Sequence, residues 1–326
     1  MASKAELEAR PMHRRGILFA SLVTAIALSA PTAQASDPDS CRIVRFSDVG
    51  WTDITSTTAL ASVVIEGLGY TPRVQVLSVP VTYTSLKNKD IDVFLGNWMP
   101  TMEGDIAPYR EDGSVETVRA NLEGAKYTLA TLAPTAEAGL DDFSTIADFS
   151  DELDGQIYGI EPGNDGNRVI LEMIEADAFG LGDFDLVESS EQGMLAQVRR
   201  SARRDQPIVF LAWEPHPMNA NFDIVYLNGG DEWFGPNYGG ATVYTNVRQG
   251  YLEECPNVGT FLSNLSFTLE MENEIMSAIL DEGVVPEQAA QQWLAEHPEV
   301  LDSWLAEVTT FEGEEGLAAV RAHLGL

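Results

Sequence analysis

Basic residues are scarce. Nineteen Lys and Arg stand against 51 Asp and Glu, for a formal charge of −32. No basic surface is available to displace counterions from phosphates, which argues against nucleic acid as a partner. Cysteine is nearly absent. Cys41 and Cys255 are the full set, too few for a disulfide-dense scaffold or a four-thiolate zinc site. Histidine is rare as well. Beyond residue 35 only His216, His297 and His323 occur, without HExxH or HxH spacing, so no transition-metal site is expected. The chain has no G-x-S-x-G elbow, no P-loop and no G-x-G-x-x-G. Asp183-Phe184-Asp185 lacks the Gly and the terminal Glu of a calcium loop. No catalytic set and no cofactor are expected.

What is present describes a folded, exported protein. Hydrophobic residues make up 44% and aromatics 9% of 326 residues, enough for one large or two ordinary domains and too much for disorder. Residues 1–35 read as a secretory signal peptide. Arg10, His13, Arg14 and Arg15 precede an apolar run over 16–30, and Ala33-Gln34-Ala35 is a small-x-small cleavage site. The run is short for a membrane span. Cleavage removes Lys4, Arg10, Arg14 and Arg15 with Glu6 and Glu8, and leaves 15 bases against 49 acids. The acids are spread along the chain, which fits a salty habitat better than local steering of a cation. An oxidising compartment favours a Cys41–Cys255 disulfide, with two buried free thiols as the alternative.

Strands and helices alternate through the middle of the chain. Strands are predicted at 43–46, 74–79, 91–95, 127–132, 157–160 and 207–212, and helices at 55–69, 81–89, 167–178 and 191–204. This argues for an α/β fold with mostly parallel strands. Helices are expected over 268–281, 286–296, 298–308 and 313–324, where Pro286 and Pro298 suit helix starts. A Cys41–Cys255 link places the first and last thirds in one lobe. Residues 36–121 and 223–326 then form lobe I, and 122–222 form an inserted lobe II. Two hinge crossings join the lobes, with a ligand cleft between them.

The tryptophans carry the functional signal. Trp51 follows the first predicted strand, Trp98 follows the strand at 91–95, and Trp213 follows the strand at 207–212. Ligands of open α/β sheets bind at the carboxyl ends of strands, where all three fall. Tyr127, near the first crossing, is a candidate fourth wall. Core packing is the competing account of each ring taken singly. Trp293 and Trp304 lie inside amphipathic helices and read as core. Aromatic faces attract diffuse cations, and a quaternary ammonium in an aromatic cage is the best-known case.

Gly50-Trp51-Thr52-Asp53, Gly96-Asn97-Trp98-Met99-Pro100, Glu161-Pro162-Gly163-Asn164 and Trp213-Glu214-Pro215-His216 together resemble the glycine betaine/choline branch of periplasmic substrate-binding proteins. The resemblance spans nearly the whole chain beyond the leader. It implies a type II two-lobe periplasmic binding fold with two hinge crossings, and partnership with an ABC permease and its ATPase. It implies an aromatic box of Trp51, Trp98, Tyr127 and Trp213, with Asp53 and Asn164 as polar ligand contacts. It also implies the Cys41–Cys255 disulfide, a periplasmic location and a monomer that binds without catalysis.

Choline carries a net positive charge and a hydroxyl, whereas betaine is zwitterionic. A carboxylate at Asp53 favours the first and repels the second. Asp53 also suits a helix N-terminus, and Asn164 suits a turn or cap. Choline is therefore the expected ligand, with glycine betaine as the alternative. A hydrolase acting on choline esters or sugars through cleft carboxylates is the rival from another class. A sensory ligand-binding subunit is a third reading.

Overall fold

The computed structural model describes residues 37–326, so the expected leader lies outside the described residues. Nine strands form one sheet in the order β2-β1-β3-β9-β4-β7-β5-β6, with β8 on the flank of β4. They are β1 (Ile43–Asp48), β2 (Thr71–Val76), β3 (Val93–Met99), β4 (Val115–Leu132), β5 (Gln156–Tyr158), β6 (Asp185–Val187), β7 (Val209–Glu214), β8 (Ile224–Tyr226) and β9 (Gly240–Arg248). β2-β1-β3 is parallel, and so is β7-β5-β6. Between these wings β9 runs antiparallel to β3 and β4, and β4 runs antiparallel to β7 and β8.

The expectation of a mostly parallel sheet is thus half right. Each wing is parallel, but the centre is antiparallel. The reason is β4, an 18-residue strand whose first half pairs β9 and whose second half pairs β7. Residues 115–126 contain Glu116, Arg119, Glu123 and Lys126 and no apolar run, so only the segment from Tyr127 onward carries a strand pattern.

Helix α1 (Thr52–Gly67) starts earlier than its apolar stripe suggests and buries 13 of its 16 residues. A helix buried nearly all round needs its polar side chains satisfied internally. The Ser56 hydroxyl donates to the Thr52 carbonyl at 2.6 Å and the Thr57 hydroxyl to the Ile54 carbonyl at 3.2 Å, whereas the Thr58 and Ser62 hydroxyls are buried without a hydrogen-bond partner among the described residues. Helices Leu269–Leu280, Pro286–Glu296 and Gly316–Leu324 pack over α1. The expected helix at 298–308 shrinks to Val300–Trp304, and Glu307 adopts a positive φ of 62° beyond it. Trp304 is core, as expected. Trp293 is half-buried instead; its indole donates to Glu274 at 2.7 Å and stacks on His297.

Cys41 and Cys255 form a disulfide, 214 residues apart in sequence. β8 pairs the second half of β4, and Phe234 packs against Tyr127 and Phe143. Among the described residues no helix is long and apolar enough to cross a membrane.

Candidate functional site

Five of the six residues singled out in the sequence converge. Trp51, Asp53, Trp98, Tyr127 and Trp213, joined by Ile160, line one small space. Local structure explains each position. Trp51 is the extended N-cap residue of α1, just after β1, and Asp53 lies in the helix's first turn. Trp98 and Trp213 lie in the last two residues of their strands, inside β3 and β7 instead of beyond them. Both precede an X-Pro bond by one residue, and Met99–Pro100 and Glu214–Pro215 are cis. Tyr127 stands directly opposite Trp213 in the antiparallel β4–β7 ladder. Facing pairs of this kind hold aromatic rings within contact range.

The Tyr127 ring lies 5.8 Å from Trp98 and 6.3 Å from Trp213, centroid to centroid, inclined at 55° and 80°. Two glycines admit it. A Cβ on Gly166 would meet the Tyr127 hydroxyl at 2.3 Å, and one on Gly239 would meet the Tyr127 carbonyl oxygen at 1.9 Å. Gly239 also has a φ of +66°, which side chains disfavour.

Every ring but one is tethered through its polar atom. The Trp51 indole N–H donates to Glu161 Oε1 at 2.6 Å, and that of Trp98 donates to Asp53 Oδ2 at 3.1 Å. The Tyr127 hydroxyl donates to Asn164 Oδ1 at 2.9 Å. The Trp213 indole N–H and Asp53 Oδ1 are buried without a hydrogen-bond partner among the described residues. Asn164 is the sixth predicted residue. It stands behind Tyr127 as the N-cap of helix Asp165–Glu175, its Oδ1 also accepting from the Asn167 N–H at 2.9 Å. It is not among the lining residues.

Acids crowd this region. Burial pushes the Asp53 carboxyl up to about 8, with help from the negative charge of Glu191 and against the pull of backbone N–H groups and Trp98. Burial, then the charge of Asp53, raises Glu272 well above the carboxylate range. Burial also raises Glu161, and it pushes Asp165 up to about 7. Among the described residues no group of His, Cys, Asp and Glu is arranged to hold a metal ion. The arrangement presents π-faces and one acid to a small, diffuse guest. A roomier groove bordered by Leu132, Phe149 and Pro207 has no such convergence of rings.

Two contributors escaped the sequence reading. Ile160 follows β5, and the strand-end rule that selected the tryptophans would have found it. Glu191 carries no local signal, because its partner is far away in the chain. Glu191 is buried and bonds Thr52, 139 residues earlier.

The fold is that of the substrate-binding proteins of ABC transporters. Residues 43–296 match the family described as the substrate binding domain of ABC-type glycine betaine transport systems, and the chain belongs to that family. Its members bind substrates for ABC transporters and are not enzymes.

Among solved structures the chain is similar to an ABC-transporter choline binding protein in complex with choline. The two are 68% identical with a TM-score of 0.88, over 89% of this chain and all of the other. A choline binding protein in an unliganded semi-closed conformation is also 68% identical, with a TM-score of 0.82 over 88% of this chain and all of that one. An uncharacterized protein of Chromohalobacter salexigens is 54% identical over 138 residues, covering 42% of this chain and 87% of that relative.

Proposed function

We propose that this protein captures choline in the periplasm, as a monomer, and delivers it to an ABC permease and its ATPase. The observation that carries the reading is the convergence of three indoles and a phenol on a space with a single acid, Asp53, in its lining. Each desolvated ring face contributes on the order of 1–2 kcal/mol to a cation, so the set supports micromolar binding or better. The likeness to a solved choline binding protein at 68% identity supports the same ligand.

Glycine betaine, the substrate in the family's description, is the second reading. Its carboxylate would have to approach Asp53 and Glu161. Calorimetric titration with the two ligands decides between them: choline is expected to bind tighter, and tighter betaine binding overturns the assignment. In the same titration Trp213→Ala is expected to weaken choline binding by about 2 kcal/mol. An unchanged affinity removes Trp213 from the box.

The two lobes of this reading comprise residues 36–125 with 240–326, and 126–239. The packing of residues 223–239 on the second half of β4 supports that division over the boundary expected from sequence. The polypeptide crosses at β4 and at the start of β9. Trp51, Asp53 and Trp98 then belong to lobe I, and Tyr127, Ile160 and Trp213 to lobe II. A ligand touching both sets favours the closed form through its differential contacts.

The state of Asp53 makes binding proton-linked. With its pKa raised to about 8, the carboxyl is largely neutral at pH 7 without ligand. A cation beside it favours ionisation, against the charge of Glu191. Choline uptake is therefore expected to release a proton. Affinity rises with pH up to about 8 and then levels, by as much as about tenfold per unit. Titrations in buffers of different protonation heat read the proton directly, and Asp53→Asn is expected to abolish it. The linkage to stability has the opposite sign. A raised carboxyl pKa stabilises the ligand-free fold below the unfolded value, and that contribution is lost as pH rises through about 8.

A further inference from the structure

We propose that Glu191 and Glu161 form an acidic clasp that positions the Trp51–Thr52–Asp53 corner of the box and slows release of the bound ligand. The proposal rests on the choline-binding reading and adds two positioning residues to it. Glu191 opens the helix Glu191–Ala202 and is 1% exposed. Its Oε2 accepts the backbone N–H of Thr52 at 2.8 Å, and its Oε1 accepts the Thr52 hydroxyl at 2.7 Å.

Helix α1 has no side-chain cap of its own, because its N-cap residue is Trp51. First-turn N–H groups need an acceptor, and a negative charge there suits the helix dipole. Glu191 supplies both from 139 residues away in sequence. Thr52 lies between Trp51 and Asp53, so anchoring it fixes the starting backbone of two box residues.

The same carboxylate reaches the opposite wall. His216 Nδ1 accepts the Met218 N–H at 2.9 Å, so the ring proton sits on Nε2 and donates to Glu191 Oε1 at 3.0 Å. The His216 ring packs against Trp213 at 4.8 Å between centroids. Glu161 adds the second arm of the clasp by accepting the Trp51 indole N–H at 2.6 Å. The two acids thus join the Trp51 corner to the segments that carry Ile160 and Trp213.

A different fastening ties the same halves without touching the box. Arg168 donates to Asp105 at 2.9 and 3.0 Å and to the Thr101 carbonyl at 2.8 Å, and it serves as the control.

Stopped-flow indole fluorescence with choline, using variants whose folding is verified by circular dichroism, tests the clasp. Glu191→Ala is expected to raise the dissociation rate at least tenfold with little change in association. Glu161→Ala is expected to raise it several-fold, and Glu161→Gln, which keeps an acceptor for the indole, to restore most of the loss. Arg168→Gln is expected to have a smaller effect than Glu191→Ala. A folded Glu191→Ala variant with an unchanged dissociation rate overturns the proposal. So does an Arg168→Gln variant with an equal effect, which would mean that any seam contact acts alike. Where Glu191→Ala does not fold, Thr52→Val removes one bond without burying a charge, and an unchanged rate there rejects the clasp. Failure of the wild type to bind choline would sink the ligand assignment instead. The clasp is then read by solution scattering, where equal radii of gyration for wild type and Thr52→Val reject it.

Discussion

Replacing Trp98 with alanine is expected to weaken choline binding by about 3.5–5 kcal/mol, several hundredfold or more. Two losses add. The first is a desolvated ring face, worth about 2 kcal/mol to a buried cation. The second is the donor to Asp53 Oδ2, since the Trp98 N–H is the side-chain group that holds this carboxyl. A hydrogen bond to a charged group is worth about 1.5–3 kcal/mol, and it counts fully once the cation has ionised Asp53.

Trp213 has no such bond, which explains the smaller loss expected there. The excess cost of Trp98→Ala over Trp213→Ala should therefore vanish when both are made in an Asp53→Ala background. Trp98→Phe separates the terms within one site by keeping a ring and removing the N–H. Equal losses for the two alanine variants in the native background would show that the indole–carboxyl bond adds nothing to affinity. Because Trp98 is buried, Trp98→Ala also opens a core cavity, and the phenylalanine variant remains readable if the alanine one unfolds.

Removing the disulfide is expected to cost more stability than any other single covalent change and to leave affinity nearly untouched. Cys41 and Cys255 close a loop across 214 positions, worth up to about 5 kcal/mol in the chain-entropy model. The bridge lies at the amino end of β1, whereas Trp51 follows its carboxyl end, ~20 Å away at ~3.3 Å per residue over six residues. A Cys41→Ser, Cys255→Ser double variant should unfold at markedly lower urea, while its choline titration stays within about twofold of wild type. An unchanged urea midpoint would show that packing alone holds the chain start in place. The Asp37 carboxylate is the packing alternative on that side, because it accepts the N–H groups of Asn257 and Val258 at 2.8 and 3.1 Å.

The sheet shows where local pattern suffices and where it fails. β1, β5 and β7 are short and built around β-branched or aromatic residues such as Ile43, Val44, Phe46, Ile157, Tyr158, Val209 and Phe210, so their positions are readable from the chain. The first half of β4 is not, because it mixes charged and apolar residues and bends through register shifts near Gly124. That half pairs β9, and β9 is what makes the centre of the sheet antiparallel. The docking of residues 224–234 against β4 was hidden for a related reason. It depends on Phe234 reaching Phe143 and Tyr127, contacts that no local period announces.

By itself the sequence determined which aromatic side chains stand at strand ends. Strand periodicity and the Gly and Pro residues beside Trp51, Trp98 and Trp213 are local properties, legible without knowing what lies opposite. Only the tertiary structure decided what those rings are fastened to and how the acid beside them is charged. Glu161 and Glu191 meet their partners 110 and 139 residues away, a choice made by packing. Asp53 holds its proton because burial withdraws water from the carboxyl, and water access is a property of the folded whole, absent from any stretch of chain.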